Sequence, residues 1–215
     1  LLGQSHRHAA RLAAHLVVAR SRQCDFLTCL QCGRELVAEF GDADEVGRRI
    51  DVATLFPEMC EAVLQTSIIG RARKAELVEI HCHNIRDYSP DPKHHRVDDS
   101  PYGGGKGMVM QPEPIYRCYL DVVEKSGSKP YVIYLSPQGK TLTQKKALEL
   151  REIPHLFLLC GHYEGVDERV LDALVDEQIS IGDYVLTGGE IPAMALVDCV
   201  SRMVPGVLAD EVCFT

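Results

Sequence analysis

Between Leu156 and Gly206 the chain twice passes from a short apolar run into a glycine-rich loop that opens a helix, and few folds accept that rhythm. Leu156 to Cys160 reads as a strand ending at Gly161-His162-Tyr163-Glu164-Gly165. Val166, Val170, Leu171, Leu174 and Val175 then recur at helical spacing. The β-branched run from Ile179 to Ile181 leads into a second such loop, Gly182 to Glu190, and a further helix with Pro192 in its first turn and Met194, Leu196, Val197 and Val200 along it. In α/β proteins ligands sit at the carboxyl ends of strands, where glycines let backbone approach them closely. Gly161, Gly165, Gly182, Gly188 and Gly189 fall in two such loops, which favours a binding cleft over simple chain reversal.

The same alternation extends upstream. Ile50 to Phe56 reads as a strand, and Pro57 starts a helix carrying Met59, Val63 and Leu64 that ends at Ile68-Ile69-Gly70. Ala75 to Ile80 reads as a second strand, and Gln111 to Val123 as a helix with Ile115, Tyr119 and Val122 inward. Tyr131 to Leu135 is a strand closing in Ser136-Pro137-Gln138-Gly139-Lys140, a third glycine-bearing strand end. Thr143 caps a helix with Ala147, Leu148 and Leu150. Alternating strands and helices predict an α/β fold, a mainly parallel sheet with helices on both faces.

Between His83 and Gly107 the chain turns polar for longer than an ordinary connection, which predicts a functional loop or lid. Gly103-Gly104-Gly105-Lys106-Gly107 fails as a phosphate loop, because no Ser or Thr follows the lysine and no strand leads directly in. The net charge of -8 argues against indiscriminate nucleic-acid binding. It leaves room for a local basic face around Arg71, Arg73, Lys74, Arg86, Lys93, His94, His95, Arg96 and Lys106, or for ordinary solvated charges there. No apolar run approaches the length of a membrane span. Several of the cysteines (Cys60, Cys118, Cys160, Cys199) sit in apolar periodic segments, as small core residues of a reduced, cytosolic protein do. Cys29 and Cys32, with Cys24 nearby, lack the partners that would complete a zinc site, so no metal is expected. Residues 1–48 differ in texture. They carry an amphipathic basic segment like a transit peptide or like translated sequence upstream of a start, and we read them as an N-terminal extension.

Six blocks carry a specific resemblance: IDVATLFPEM (50–59), NIRDY (84–88), DDSPYGGGKGMVMQPEP (98–114), YLSPQGK (134–140), LLCGHYEGVDERV (158–170) and SIGDYVLTGGEIPAMALVDCVSRMVPGVL (180–208). Through them the chain resembles the bacterial tRNA (guanine-N1)-methyltransferases, the TrmD family of the SPOUT superfamily. The resemblance implies a C-terminal deep trefoil knot, S-adenosylmethionine bound in that knot, and a cytoplasmic homodimer with active sites across its interface. The implied substrate is tRNA, methylated at N1 of the guanosine immediately 3′ of the anticodon.

By position, the implied cofactor-binding residues are Tyr134, Leu135, Ser136, Pro137 and Gly139 after one strand, and Gly161, Tyr163, Glu164 and Gly165 after the next. The third loop adds Ser180, Ile181, Gly182, Asp183, Tyr184, Val185, Leu186, Gly188, Gly189 and Pro192. Arg202 matches the catalytic arginine, whose guanidinium would stabilise charge pushed onto guanine O6. Glu164 matches a carboxylate near cofactor and base, and Tyr102, Gly103, Gly104, Gly105 and Gly107 match the loop at the guanine. The family's general base, an aspartate in a linker, has no counterpart up to Thr215, and Asp210 lies too early for it. The expected organisation is a cofactor domain over 49–208 and the start of a linker over 209–215, without the tRNA-gripping domain. Such a chain is expected to bind cofactor and to be impaired in catalysis. The alternative is a dimeric cofactor-binding module with no activity of its own.

Overall fold

The computed structural model describes residues 48–101, 104 and 106–209; residues 1–47 of the N-terminal extension, Tyr102, Gly103, Gly105 and Asp210, about which the sequence raises expectations, lie outside them. The described residues group into a main unit, 48–118 with 130–209, and the segment 119–129 at the end of one helix.

The main unit is built on a five-stranded sheet of order β2-β1-β6-β5-β7, parallel throughout. Its strands are β1 (Arg48–Thr54), β2 (Val78–Asn84), β5 (Tyr131–Thr141), β6 (His155–Cys160) and β7 (Glu177–Ser180). Asp98–Asp99 and Val109–Met110 form a separate antiparallel pair, β3 and β4. The helices are α1 (Pro57–Leu64), α2 (Ser67–Lys74), α3 (Pro112–Ser126), α4 (Gln144–Arg151), α5 (Glu168–Leu174) and α6 (Glu190–Ser201). This is the α/β architecture with a parallel sheet that the strand and helix rhythm predicts.

A parallel sheet is covered on both faces, so its central strands read as continuous apolar runs rather than alternating ones. All six residues of β6 are buried. Ile50, Val52, Leu156, Leu158, Cys160, Ile133 and Leu135 pack on one side with Cys60 and Leu64 of α1, Ile69 of α2, Leu150 of α4, and Leu196, Val197 and Val200 of α6. Period-two alternation sends Asp51, Ala53, Phe157 and Leu159 to the other side, and these too are buried.

Several boundaries differ from the sequence expectation. The helix after Pro57 stops at Leu64, and Ile68-Ile69-Gly70 belongs to α2. Thr66, extended at φ -110° and ψ 168°, separates the two. Met59 and Val63 face outward, while Cys60 and Leu64 point to the core. Ala75 caps α2, and the second strand is β2, shifted toward the polar stretch. The strand at Tyr131 runs on to Thr141, and Ser136 to Gly139 form a bulge within it, where pairing with β7 jumps from Leu135 to Lys140. Arg73 turns inward to Glu61 at 2.8 Å and to the Ile80 carbonyl at 2.9 Å, so it belongs to no basic face.

Thr143 caps α4 as expected, its hydroxyl accepting from the Lys146 N–H at 3.2 Å. Thr143→Ala should therefore cost about 1 kcal/mol and lower the melting temperature by about 2–4 °C, a shift that scanning calorimetry resolves. An unchanged melting temperature would show that water replaces this cap.

Candidate active site

Three loops at the carboxyl edge of the sheet enclose a cavity of about 350 Å³. β5 and its bulge contribute Tyr134 to Gln138, the turn after β6 contributes Gly161 to Val166, and the end of β7 and the chain after it contribute Ser180, Ile181 and Tyr184 to Gly189, with Pro192 from α6. That volume suits a small-molecule ligand at the position where parallel sheets hold theirs.

The cavity gathers most of the residues named from the sequence: Tyr134, Leu135, Ser136, Pro137, Gly161, Tyr163, Glu164, Gly165, Ser180, Ile181, Tyr184, Val185, Leu186, Gly188, Gly189 and Pro192. Gly139, Gly182 and Asp183 do not line it. Gly139 has a different reason to be glycine. A Cβ there would lie 2.5 Å from the Gln178 carbonyl carbon and from the Ile179 nitrogen, so the residue lets β5 lie against the backbone of β7. At Gly182 the nearest atoms to a Cβ would be those of the Tyr184 ring, an exposed side chain.

Tyr134 is 7% exposed, and burial pushes its phenol up against the opposing effect of a hydrogen bond with the Val166 backbone. Tyr163 takes φ 59°, a left-handed conformation that bulky residues rarely adopt outside functional turns.

Glu164 is exposed at this edge, and its side chain lies over Gly107. The Glu164 N–H donates to the Met108 carbonyl at 3.0 Å, and Met110 pairs with Gly165 and Asp167 through its own N–H and carbonyl at 2.9 and 3.1 Å. The end of the glycine-rich loop is thus laddered to the turn that carries Glu164. Gly104 is described but has no neighbour within 4 Å of where a Cβ would sit. Arg202 lies apart from the cavity, at the C-cap of α6.

Several functional candidates carried no clear sequence signal. His162 lines the cavity, and its Nε2 is 2.8 Å from Glu190 Oε2. Glu190, only 3% exposed, accepts a second hydrogen bond from the Thr54 hydroxyl at 2.6 Å. Thr54 Oγ1 in turn accepts from the Phe56 N–H at 2.9 Å, and the Phe56 ring lies 5.1 Å from the His162 ring. Gln138, Val166, Glu168, Leu171, Gln178, Ile179 and Thr187 complete the wall. Among the described residues no group of His, Cys, Asp and Glu is arranged to hold a metal ion, and no helix is long and apolar enough to cross a membrane.

Comparison with known proteins supplies the family. The profile described as "tRNA (Guanine-1)-methyltransferase TrmD" matches residues 48–215. The chain is 59% identical over 167 residues to the tRNA (guanine-N(1)-)-methyltransferase of Ruminiclostridium cellulolyticum, covering 78% of this chain and 71% of that protein. It is 56% identical over 160 residues to the enzyme of the same name from Lachnospira eligens, covering 74% and 67%. The crystal structure of tRNA (m1G37) methyltransferase from Aquifex aeolicus superposes with a TM-score of 0.70 at 43% identity, covering 77% of this chain and 73% of that one. A parallel sheet with its cavity at the β5, β6 and β7 ends, and these matches across the same residues, place the chain in the tRNA (guanine-N1)-methyltransferase family.

Proposed function

We propose that this cytoplasmic protein binds S-adenosylmethionine in the cavity and transfers its methyl group to N1 of the tRNA guanosine immediately 3′ of the anticodon. The observation that carries this reading is the convergence of three strand-end loops on one cavity whose wall contains most of the residues that the family resemblance assigns to the cofactor. S-adenosylmethionine, when bound, supplies an electrophilic methyl carbon on a sulfonium.

The chain's own residues fit the rest of the task. Backbone groups of Gly161, Gly165 and Gly188 and the apolar Leu135, Ile181 and Leu186 offer a flat nucleoside polar edges and apolar contact. Glu164, an exposed carboxylate whose side chain lies over Gly107, would accept from a guanine N–H brought to this edge. Arg202 stands outside the cavity of its own chain, which agrees with a role in the site of a second copy. There its guanidinium would hold the charge that develops on O6 as N1 loses its proton.

A homodimer is supported by the apolar side chains left in solvent: Phe56, Met59 and Val63 near α1, Ile191 on α6, and Val185, which is 80% exposed. The close approach of backbone to backbone at Gly139 and Gly189 is compatible with the trefoil knot that the family resemblance implies.

Titration calorimetry with S-adenosylmethionine should give saturable binding of one ligand per chain, displaced by S-adenosylhomocysteine. Radiolabelled methyl should enter a tRNA transcript with guanosine 3′ of its anticodon, about 100-fold or more slowly than with a general base in place, and should not enter one with adenosine there. Binding without transfer would support a cofactor-binding module instead. No binding at all would remove the cavity assignment.

A further inference from the structure

Glu190 opens α6 at its first residue, a position where an acid ordinarily sits in solvent and favours the positive end of the helix. Here it is buried, and a buried carboxylate persists only when its oxygens are satisfied. Oε1 accepts from Thr54 at the end of β1, and Oε2 faces His162 in the turn after β6. Those partners are 136 and 28 residues away, so the contact joins three parts of the chain.

A carboxylate only accepts, so the His162 Nε2 carries the proton and donates it to Glu190. The pair lies directly on the Gly188 backbone, where a Cβ would fall 2.3 Å from His162 Nε2 and 2.4 Å from Glu190 Oε2. One residue on, the Gly189 N–H donates to the Gly161 carbonyl at 3.0 Å. His162, Gly161, Gly188 and Gly189 all line the cavity; Glu190 itself does not. Its carboxylate thus acts on the cavity from behind the wall.

We propose that Glu190 is a positioning residue of the methyl-donor site, a buried carboxylate that ties the His162 turn and the Gly188-Gly189 turn to the end of β1 and so sets the cavity's width. The proposal rests on the donor binding in this cavity. Glu190 touches neither donor nor guanine. It acts through His162, and its loss would free two of the three loops that must converge on the ligand.

The test is a double-mutant cycle read by titration of S-adenosylhomocysteine into the full chain, with Glu190→Ala, His162→Ala and the double variant. Glu190→Ala should weaken binding about tenfold or more, the scale of one lost charge-assisted hydrogen bond in a buried site. Glu190→Gln keeps an acceptor for His162, and the Thr54 hydroxyl can turn to accept from its amide, so the loss should be about threefold or less. In the His162→Ala background, Glu190→Ala should cost less than about twofold more. Nitrogen-15 spectra of the histidine side chains give a readout that general destabilisation does not move. His162 should hold its proton on Nε2 in the wild type and in Glu190→Gln, and exchange between tautomers in Glu190→Ala.

Unchanged affinity in Glu190→Ala, or losses that simply add in the double variant, would overturn the proposal while leaving the cavity reading intact. Failure of the wild-type chain to bind the probe overturns the cavity reading, and the proposal with it. If Glu190→Ala does not fold, Glu190→Gln set against His162→Gln carries the same comparison: retained affinity in the first and loss in the second supports the proposal, and the reverse order refutes it.

Discussion

Asp51→Asn should destabilise the protein by about 3 kcal/mol, among the larger effects available to a single substitution in this chain. Asp51 lies mid-strand in β1 with no solvent exposure. One oxygen accepts from His83 Nε2 at 2.6 Å, the other from His155 Nε2 at 2.7 Å, and Arg49 donates to both at 2.7 and 3.0 Å. Burial alone would raise its pKa, but the hydrogen bonds from His155, His83 and Arg49 outweigh it and hold the carboxyl well below the usual range. Asparagine keeps one acceptor and adds a donor where only donors already point. Arg49 retains a hydrogen bond to Glu79 at 3.3 Å, which keeps the loss toward the lower end for a broken buried pair.

Urea denaturation at pH 7 measures this as a shift in midpoint with an unchanged slope. A shift worth less than about 1 kcal/mol would mean that the cluster relaxes around the amide. The pH dependence has a definite sign. A carboxyl whose folded pKa lies below its unfolded value, about 3.9, contributes its stability above that value and loses it as pH falls through the folded one. The gap between wild type and Asp51→Asn should therefore be full at pH 6 and narrow steadily below pH 4.

Gly189→Ala should cost about 3 kcal/mol or more, by overpacking rather than by lost contacts. Its φ of -83° suits any residue, so backbone preference is not the obstacle. The obstacle is space: a Cβ would lie 2.7 Å from the Cys160 Cα and 3.0 Å from the Gly161 nitrogen. Both are backbone atoms at the end of a fully buried central strand, which cannot move without disturbing its pairing with β1 and β5. Chemical denaturation should show the loss beside Thr187→Ala, an exposed neighbour expected to stay within about 0.5 kcal/mol of wild type. Equal stability of the two variants would show that α6 can lift off the β6 end.

Much of the fold was legible because the sheet is parallel and covered. LFLLC and YVIYL are apolar on both faces, so the strands announce themselves; Gly161 marks the end of the first, whereas the glycine segment after the second is a bulge within it. The cavity was legible for the same reason, since ligands gather at those ends. The polar half of β2 was not. His83 reads as the start of the polar loop, yet it is strand, paired with Ala53 of β1, and its ring meets Asp51 on that neighbouring strand. Asp51 in turn needs His155, 104 residues further along, and no local pattern reports such a partner.

The sequence by itself determined the alternation of strands and helices, the Thr143 cap and the glycine-bearing loops after the strands, because each depends on neighbours in the chain. Only the tertiary structure decided that Gly139 serves a backbone crossing rather than the cavity, and that Arg202 stands apart from it. It also decided that Glu190, which reads as an ordinary first-turn acid, is the buried link between Thr54 and His162. Burial of a charge is settled by what the folded chain brings around it, and those groups come from strands and turns far apart in sequence.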